Sequence, residues 1–144
     1  MTESEMHISR VFDAPRDLVY RAFTDPDQLS KWFGPVGYSA PRDEIVIELR
    51  EGGLERVVMV NDADPAERID LSSTYTDIIP GSLIAGVDNG PDAGNFRFEF
   101  FDEPEGKTRL ELRVWPVTQS WIDETSKGWE SSFTKLDQLV CFSE

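Results

Sequence analysis

The chain has 144 residues, 28 acidic against 14 basic, for a net charge of −14. That length supports one domain with a core of its own, and we read residues 1–144 as a single domain. The scattered acids oppose phosphate backbones and anionic lipid headgroups, so neither a nucleic-acid nor a membrane partner is expected.

Residues 6–12, MHISRVF, alternate weakly and read as a first strand. Asp13-Ala14-Pro15 then opens a short helix with Leu18, Val19, Ala22 and Phe23 apolar. Thr24-Asp25-Pro26 starts a second one, ending near Trp32-Phe33-Gly34-Pro35. Asp13 and Asp25 (or Thr24) are the expected caps, with Pro15 and Pro26 in first turns, where no N–H is needed. Residues 44–50 read as a strand by Ile45, Ile47 and Leu49. A turn at Glu51-Gly52-Gly53 returns the chain through a strand at 54–60. Residues 67–79 form a long alternating strand with Ile69, Leu71, Ser73 and Tyr75 on one side. Pro80-Gly81 turns into a strand at 82–87. Phe96, Phe98 and Phe100 then answer Leu110, Leu112 and Val114 across a turn at 103–106. That hairpin should show the core one apolar face and water a face of paired opposite charges.

The last segment changes period. Ser120 reads as a helix cap with Asp123 three residues on. Ile122, Trp129, Phe133, Leu136 and Val140 form a helical core stripe. Trp121, Thr125, Gly128 and Ser132 form a second stripe beside it. Gly128 costs about 1 kcal/mol against Ala inside a helix, so either another element approaches closely there or a void is left. The single cysteine, Cys141, excludes an intramolecular disulfide and reads as an apolar helix residue. The acidic start MTESEMH is neither a secretory signal nor a transit peptide. No apolar run nears the roughly 20 residues of a membrane span, and a cytoplasmic protein is expected. The order of elements gives an α+β fold: a curved sheet of seven antiparallel strands wrapped on a long C-terminal helix.

Three motifs carry a family resemblance: VFDAPRDLVYRAFTDPDQLSKWFGP (11–35), REGGLERVVM (50–59) with TYTDIIPGSLI (74–84), and TRLEL (108–112) with KGWESSFTKLDQL (127–139). In this order and spacing the chain resembles START-like, helix-grip proteins of the SRPBCC superfamily. Within it, the chain is similar to the family named for homology to the activator of the Hsp-ninety chaperone ATPase, here as a stand-alone domain. The resemblance implies a sheet gripping the last helix, with a cavity between them that binds or processes small, mostly apolar molecules.

Catalytic signatures are sparse. One His and one Cys, without CxxC, HxxxH or HExxH, argue against a transition-metal site. Asn61-Asp62-Ala63-Asp64 lacks the rest of a calcium loop and reads as a solvated turn. There is no GxSxG, GxGxxG or P-loop, so no cofactor is expected, and His7 reads as an edge or surface residue. What remains is acid/base chemistry in an apolar pocket, for which Tyr75, Arg56 and Asp77 lie nearest. Their plain structural roles would be a core hydrogen bond, a water-facing charge and a strand end.

Three readings of function follow. The first is a binding protein for a small apolar or amphipathic molecule, acting as a monomer or homodimer. The second is an enzyme of the cyclase, dehydratase or hydrolase kind working in the same cavity. The third is a chaperone ATPase co-factor. An entirely apolar cavity favours the first reading, a buried, unpaired carboxylate or Arg facing it the second, and a flat exposed apolar patch the third. No catalytic residue is assigned. The expected ligand-binding residues are Trp32, Met59, Tyr75, Phe98, Trp121, Thr125, Gly128 and Ser132.

Overall fold

The structure, a computed structural model, describes residues 4–90 and 94–141, and the side chain of Cys141 lies outside the described residues. Strand β1 (Ser4–Phe12) leads into helices α1 (Arg16–Thr24) and α2 (Pro26–Trp32). Two short strands follow, β2 (Tyr38–Ser39) and β3 (Val46–Ile47), then β4 (Leu54–Asn61) and β5 (Arg68–Ile79). The rest is β6 (Leu83–Asp88), β7 (Asn95–Glu103), β8 (Lys107–Val117) and the long helix α3 (Gln119–Cys141). The strands form one antiparallel sheet in the order β1-β8-β7-β6-β5-β4-β2, with β3 also paired to β4. This is the helix-grip architecture expected from the sequence.

Strand register fixes which side chains share the inner face, because directly opposed residues of an antiparallel pair point the same way. One row runs from Tyr75 through Gly86, Phe96 and Val114 to Met6. The next runs from Ile78 through Ile84, Phe98 and Leu112 to Ile8. The expected Phe/Leu hairpin is thus in register. Gly86 is required by its row: a Cβ there would sit 2.6 Å from the Thr74 carbonyl oxygen and 2.7 Å from the Phe96 ring.

Helix α3 lies over β1, α1 and α2 rather than along the middle of the sheet. Its stripe behaves as expected, with Phe133, Leu136 and Val140 buried and Ile122 and Trp129 half-buried against the core. Phe133 meets Phe12, Trp32 and Trp129, and Trp129 meets Phe33 and Phe98, with ring centroids 5.4–6.2 Å apart. Arg10, on the inner face of β1, donates to Asp137 of α3 at 2.8 Å.

Several local expectations are corrected. Asp13 does not cap α1, whose N-cap is Pro15 without a side-chain bond, whereas Asp25 caps α2 by accepting the Asp27 N–H at 2.9 Å. Helix α3 starts before Ser120, because Thr118 supplies the cap and accepts the Trp121 N–H at 3.2 Å. The expected strand at 44–50 shrinks to Val46–Ile47, since Arg42–Glu44 forms a single 3-10 turn. Tyr38–Ser39 adds a short strand on the same edge of β4, which makes eight strands instead of seven.

On the outer face, register sets like charges opposite each other, Arg97 against Arg113 and Glu99 against Glu111, instead of the expected opposite pairs. Such pairs are destabilising alone. Compensation comes along the strands and from the sheet edge: Arg97–Glu99, Arg109–Glu111 and Arg113–Glu5 at 2.8–3.2 Å.

Phe133 is fully buried among three rings, so Phe133→Ala should cost about 3–5 kcal/mol. A urea titration checks this, and a loss near zero would mean that α3 is not held by this cluster.

Candidate functional site

The inner face splits into two regions. Over β7, β8 and β1 the space beneath α3 is filled by rings. Trp32 and Phe98 belong to this filled part. Trp32 is 0 % exposed, packs on Phe23, Phe33 and Phe133, and donates its indole N–H to the Ala22 carbonyl at 2.8 Å. Trp32, expected among the ligand-binding residues, is instead folded into the core by α1 and α2.

Over β4 and β5 the inner face is more open. Register puts Met59 opposite Ile69, Val57 opposite Leu71 and Glu55 opposite Ser73. Val57 belongs to the core, which fixes the inward parity of Glu55 and Met59 as well. Ile69 and Leu71 are 40 % and 37 % exposed, whereas Tyr75, farther along the same face of β5, is 1 % exposed. Gly34, in the loop after α2, approaches Met59, and a Cβ on it would lie 3.4 Å from the Met59 sulfur.

The second stripe of α3 lies between two fixed flanks of the helix. One flank of the helix is tied to the loop leading into β2, where Ser131 accepts the Val36 N–H at 2.8 Å and Lys135 donates to the Tyr38 carbonyl at 3.3 Å. The other flank carries Trp129 and Phe133 into the ring cluster. At 3.6 residues per turn, Trp121, Thr125, Gly128 and Ser132 fall between these flanks. Trp121 is exposed, Thr125 and Gly128 are half-buried and Ser132 is buried, so the stripe descends inward along the helix. A Cβ on Gly128 would meet no atom within 4 Å, which removes the close-approach explanation of this glycine.

One polar pair stands on the apolar floor. The Tyr75 hydroxyl donates to Glu55 Oε2 at 2.9 Å. Tyr75 is fixed on both sides by backbone pairing, with Gly53 across β4 and Gly86 across β6. Among the described residues Glu55 forms no ion pair. Burial pushes its carboxyl up from 4.5 to about 7, against the Tyr75 hydrogen bond, which favours the charged form. Burial first, and then the neighbouring Glu55, push the Tyr75 phenol far above its ordinary range.

Of the three acid/base candidates read from sequence, Tyr75 alone lies here. Arg56 points to the outer face and pairs with Asp70 at 2.7 Å, and Asp77 is exposed. Glu55 was not singled out, although its spacing from Val57 and Met59 is the period-2 signal that marks it as inward. His7 is 40 % exposed and pairs with Glu111, as an edge residue would. Asn61 and Asp64 accept the N–H groups of Ala63 and Ala66 in a polar turn. A separate depression of about 380 Å³, open to solvent, lies at the start of α1 between Arg16, Asp102 and Lys107. There the Arg16 guanidinium bonds Ser82 at 2.6 Å and Asp102 at 3.2 Å, fastening α1 to two sheet turns.

With this geometry in hand, comparison places the chain among known proteins. The family model for Activator of Hsp90 ATPase homolog 1-like protein matches residues 13–141. The chain belongs to this family. Protein CV1439 from Chromobacterium violaceum is 24 % identical, with a TM-score of 0.82 over 94 % of this chain and 96 % of that one. Protein NE0264 from Nitrosomonas europaea is 20 % identical, with a TM-score of 0.84 over 97 % and 96 % of the two chains. The AHSA1 protein SPO3351 from Silicibacter pomeroyi is 22 % identical, with a TM-score of 0.80 over 98 % and 100 %. At these identities the likeness establishes the fold. No curated protein matches the chain. Among the described residues no helix is long and apolar enough to cross a membrane.

The raised carboxyl carries a stability consequence. Between 4.5 and about 7 the folded chain holds a proton on Glu55 that the unfolded chain has released. This contribution is complete below pH 4.5 and is lost as the pH rises through about 7. It amounts to at most about 3 kcal/mol. Urea titrations of the unmodified protein and Glu55→Gln at several pH values should diverge over that interval, with the variant gaining relative stability as pH rises. Parallel curves would mean that Glu55 titrates normally.

Proposed function

We propose that the protein binds a small amphipathic molecule in a groove between the second stripe of α3 and the inner face of β4 and β5. The observation that carries this reading is the gradient along β5, from half-exposed Ile69 and Leu71 to buried Tyr75 on one face. Apolar side chains on the concave side of a sheet are elsewhere covered by the helices; Ile69 and Leu71 are left half-exposed, and a Cβ on Gly128 would meet no atom within 4 Å. An apolar body laid along Met59, Leu71 and Ile69 would leave water, and its polar end would meet Glu55 and Tyr75. Family membership supports the reading at the level of the fold.

A second reading has an observation of its own. A carboxyl held near neutrality beside a phenol is suited to moving protons on a bound carbonyl compound, with Glu55 as the acid/base group and Tyr75 as the hydrogen-bond donor. Both readings use the same groove, so binding is tested first.

A neutral solvatochromic dye should bind with a saturable rise in fluorescence. Gly128→Leu, which fills the open side, should weaken binding at least about tenfold while the protein stays folded. Gly128→Ala should leave the fold intact and stabilise it by about 0.5–1 kcal/mol, since helix propensity improves and nothing is displaced. Dye binding that ignores Gly128→Leu and Leu71→Glu alike would place the site elsewhere.

A further inference from the structure

Building on the groove reading, we infer that its polar end is a cation site, so that the preferred ligand is an amphipathic amine whose ammonium meets Glu55 while its apolar body lies on β5. Three observations point this way. Glu55 has a carboxylate's partner but no counter-ion: Tyr75 donates to Oε2, and no Lys, Arg or His comes within ion-pair distance among the described residues. A half-buried carboxylate beside apolar side chains favours a cationic partner, and among the described residues the chain supplies none.

The neighbouring charges are all engaged elsewhere. Arg56 and Asp70 pair on the outer face, Arg68 pairs with Glu44, and Glu48 accepts the Leu54 N–H. From β3 the residue opposite Glu55 is Ile47, and from β5 it is Ser73. Among the described residues Tyr75 is the titratable group bonded to Glu55, and burial and Glu55 hold its phenol above its ordinary range; Tyr20 on α1 acts on Tyr75. Finally, the net charge of −14 gives the whole surface a field that draws cations in and turns anions away.

An alkyl or aryl ammonium would supply both halves of the complement. Its N–H groups would donate to the free Oε1 of Glu55, and its hydrocarbon part would cover Leu71 and Ile69. Because Glu55 holds its proton up to about pH 7 in the free protein, binding the cation must expel that proton. Affinity for an amine should therefore climb as pH rises through neutrality, while affinity for a neutral analogue stays flat.

Isothermal titration with 1-naphthylmethylamine, 1-naphthylmethanol and 1-naphthoic acid separates the possibilities, because the three share one apolar body. At about pH 8 the amine should bind at least about tenfold more tightly than the alcohol, and the acid most weakly. That preference should shrink by about pH 5.5, and Glu55→Gln should erase it. Tyr75→Phe, which removes the hydrogen bond favouring the charged carboxylate, should move the midpoint of the amine's pH profile upward. Equal affinity for amine and alcohol at about pH 8, tightest binding of the acid, or a preference that survives Glu55→Gln overturns the cation site and leaves the groove standing. Failure of all three to bind removes the groove and the cation site together. Should Glu55→Gln not fold, the pH profile of the unmodified protein decides alone.

Discussion

The packing of Phe133 and Trp129 of α3 against Trp32, Phe98 and Phe12 is the contact on which the other features depend. It draws rings from the sheet, from α2 and from the loop after it to one helix face, and it sets where α3 sits. Rings of this size fill space as well as area, and offset or edge-on pairs add to what burial contributes. Because the cluster occupies the space over β7, β8 and β1, the helix is held to one side of the sheet. The inner face of β4 and β5 is then covered less completely, and Ile69 and Leu71 remain half-exposed on it. The open strip is thus a consequence of where the aromatic residues lie.

The legible parts of this fold were those whose side-chain period is enforced by burial. Phe96, Phe98 and Phe100 must face the core together, so their pairing with Val114, Leu112 and Leu110 followed from alternation alone. The stripe of α3 was readable for the same reason. The edge of β4 was not, because its partner segment has no second neighbour to hold it extended. Pro41 enters a 3-10 turn instead, and two residue pairs at each end suffice to satisfy the strand. Caps were misplaced by a few residues because several small polar side chains compete near each helix start. The backbone entry angle, absent from composition, decides which oxygen reaches an N–H: Thr118 rather than Ser120 for α3.

The site was half legible for a related reason. Tyr75 was found by its parity with Ile69 and Leu71. Arg56 is the candidate the sequence offers beside it, yet Glu55, one residue away, is the one that bonds Tyr75. A shift of one residue moves a side chain to the other face of a strand. Val57, buried in the core, settles that Glu55 and not Arg56 points inward. Trp32 shows the opposite error. A tryptophan at a helix end reads as a pocket rim, but the backbone carbonyl of Ala22 within reach of its indole N–H lets the whole ring enter the core.

Glutamate at position 55 costs more than the fold requires. Tyr75 needs an acceptor, and an amide oxygen would serve it without the desolvation that raises this carboxyl to about 7. A glutamine would therefore satisfy the same hydrogen bond at lower cost. What the carboxyl adds is a negative charge available on demand, or a proton that leaves near neutrality. Neither contributes to holding the sheet together, since the adjoining ladder is closed by backbone bonds on both sides of Tyr75. In the proposed groove the free carboxylate oxygen is the atom a ligand would meet, and the apolar strip beside it would set the shape of that ligand.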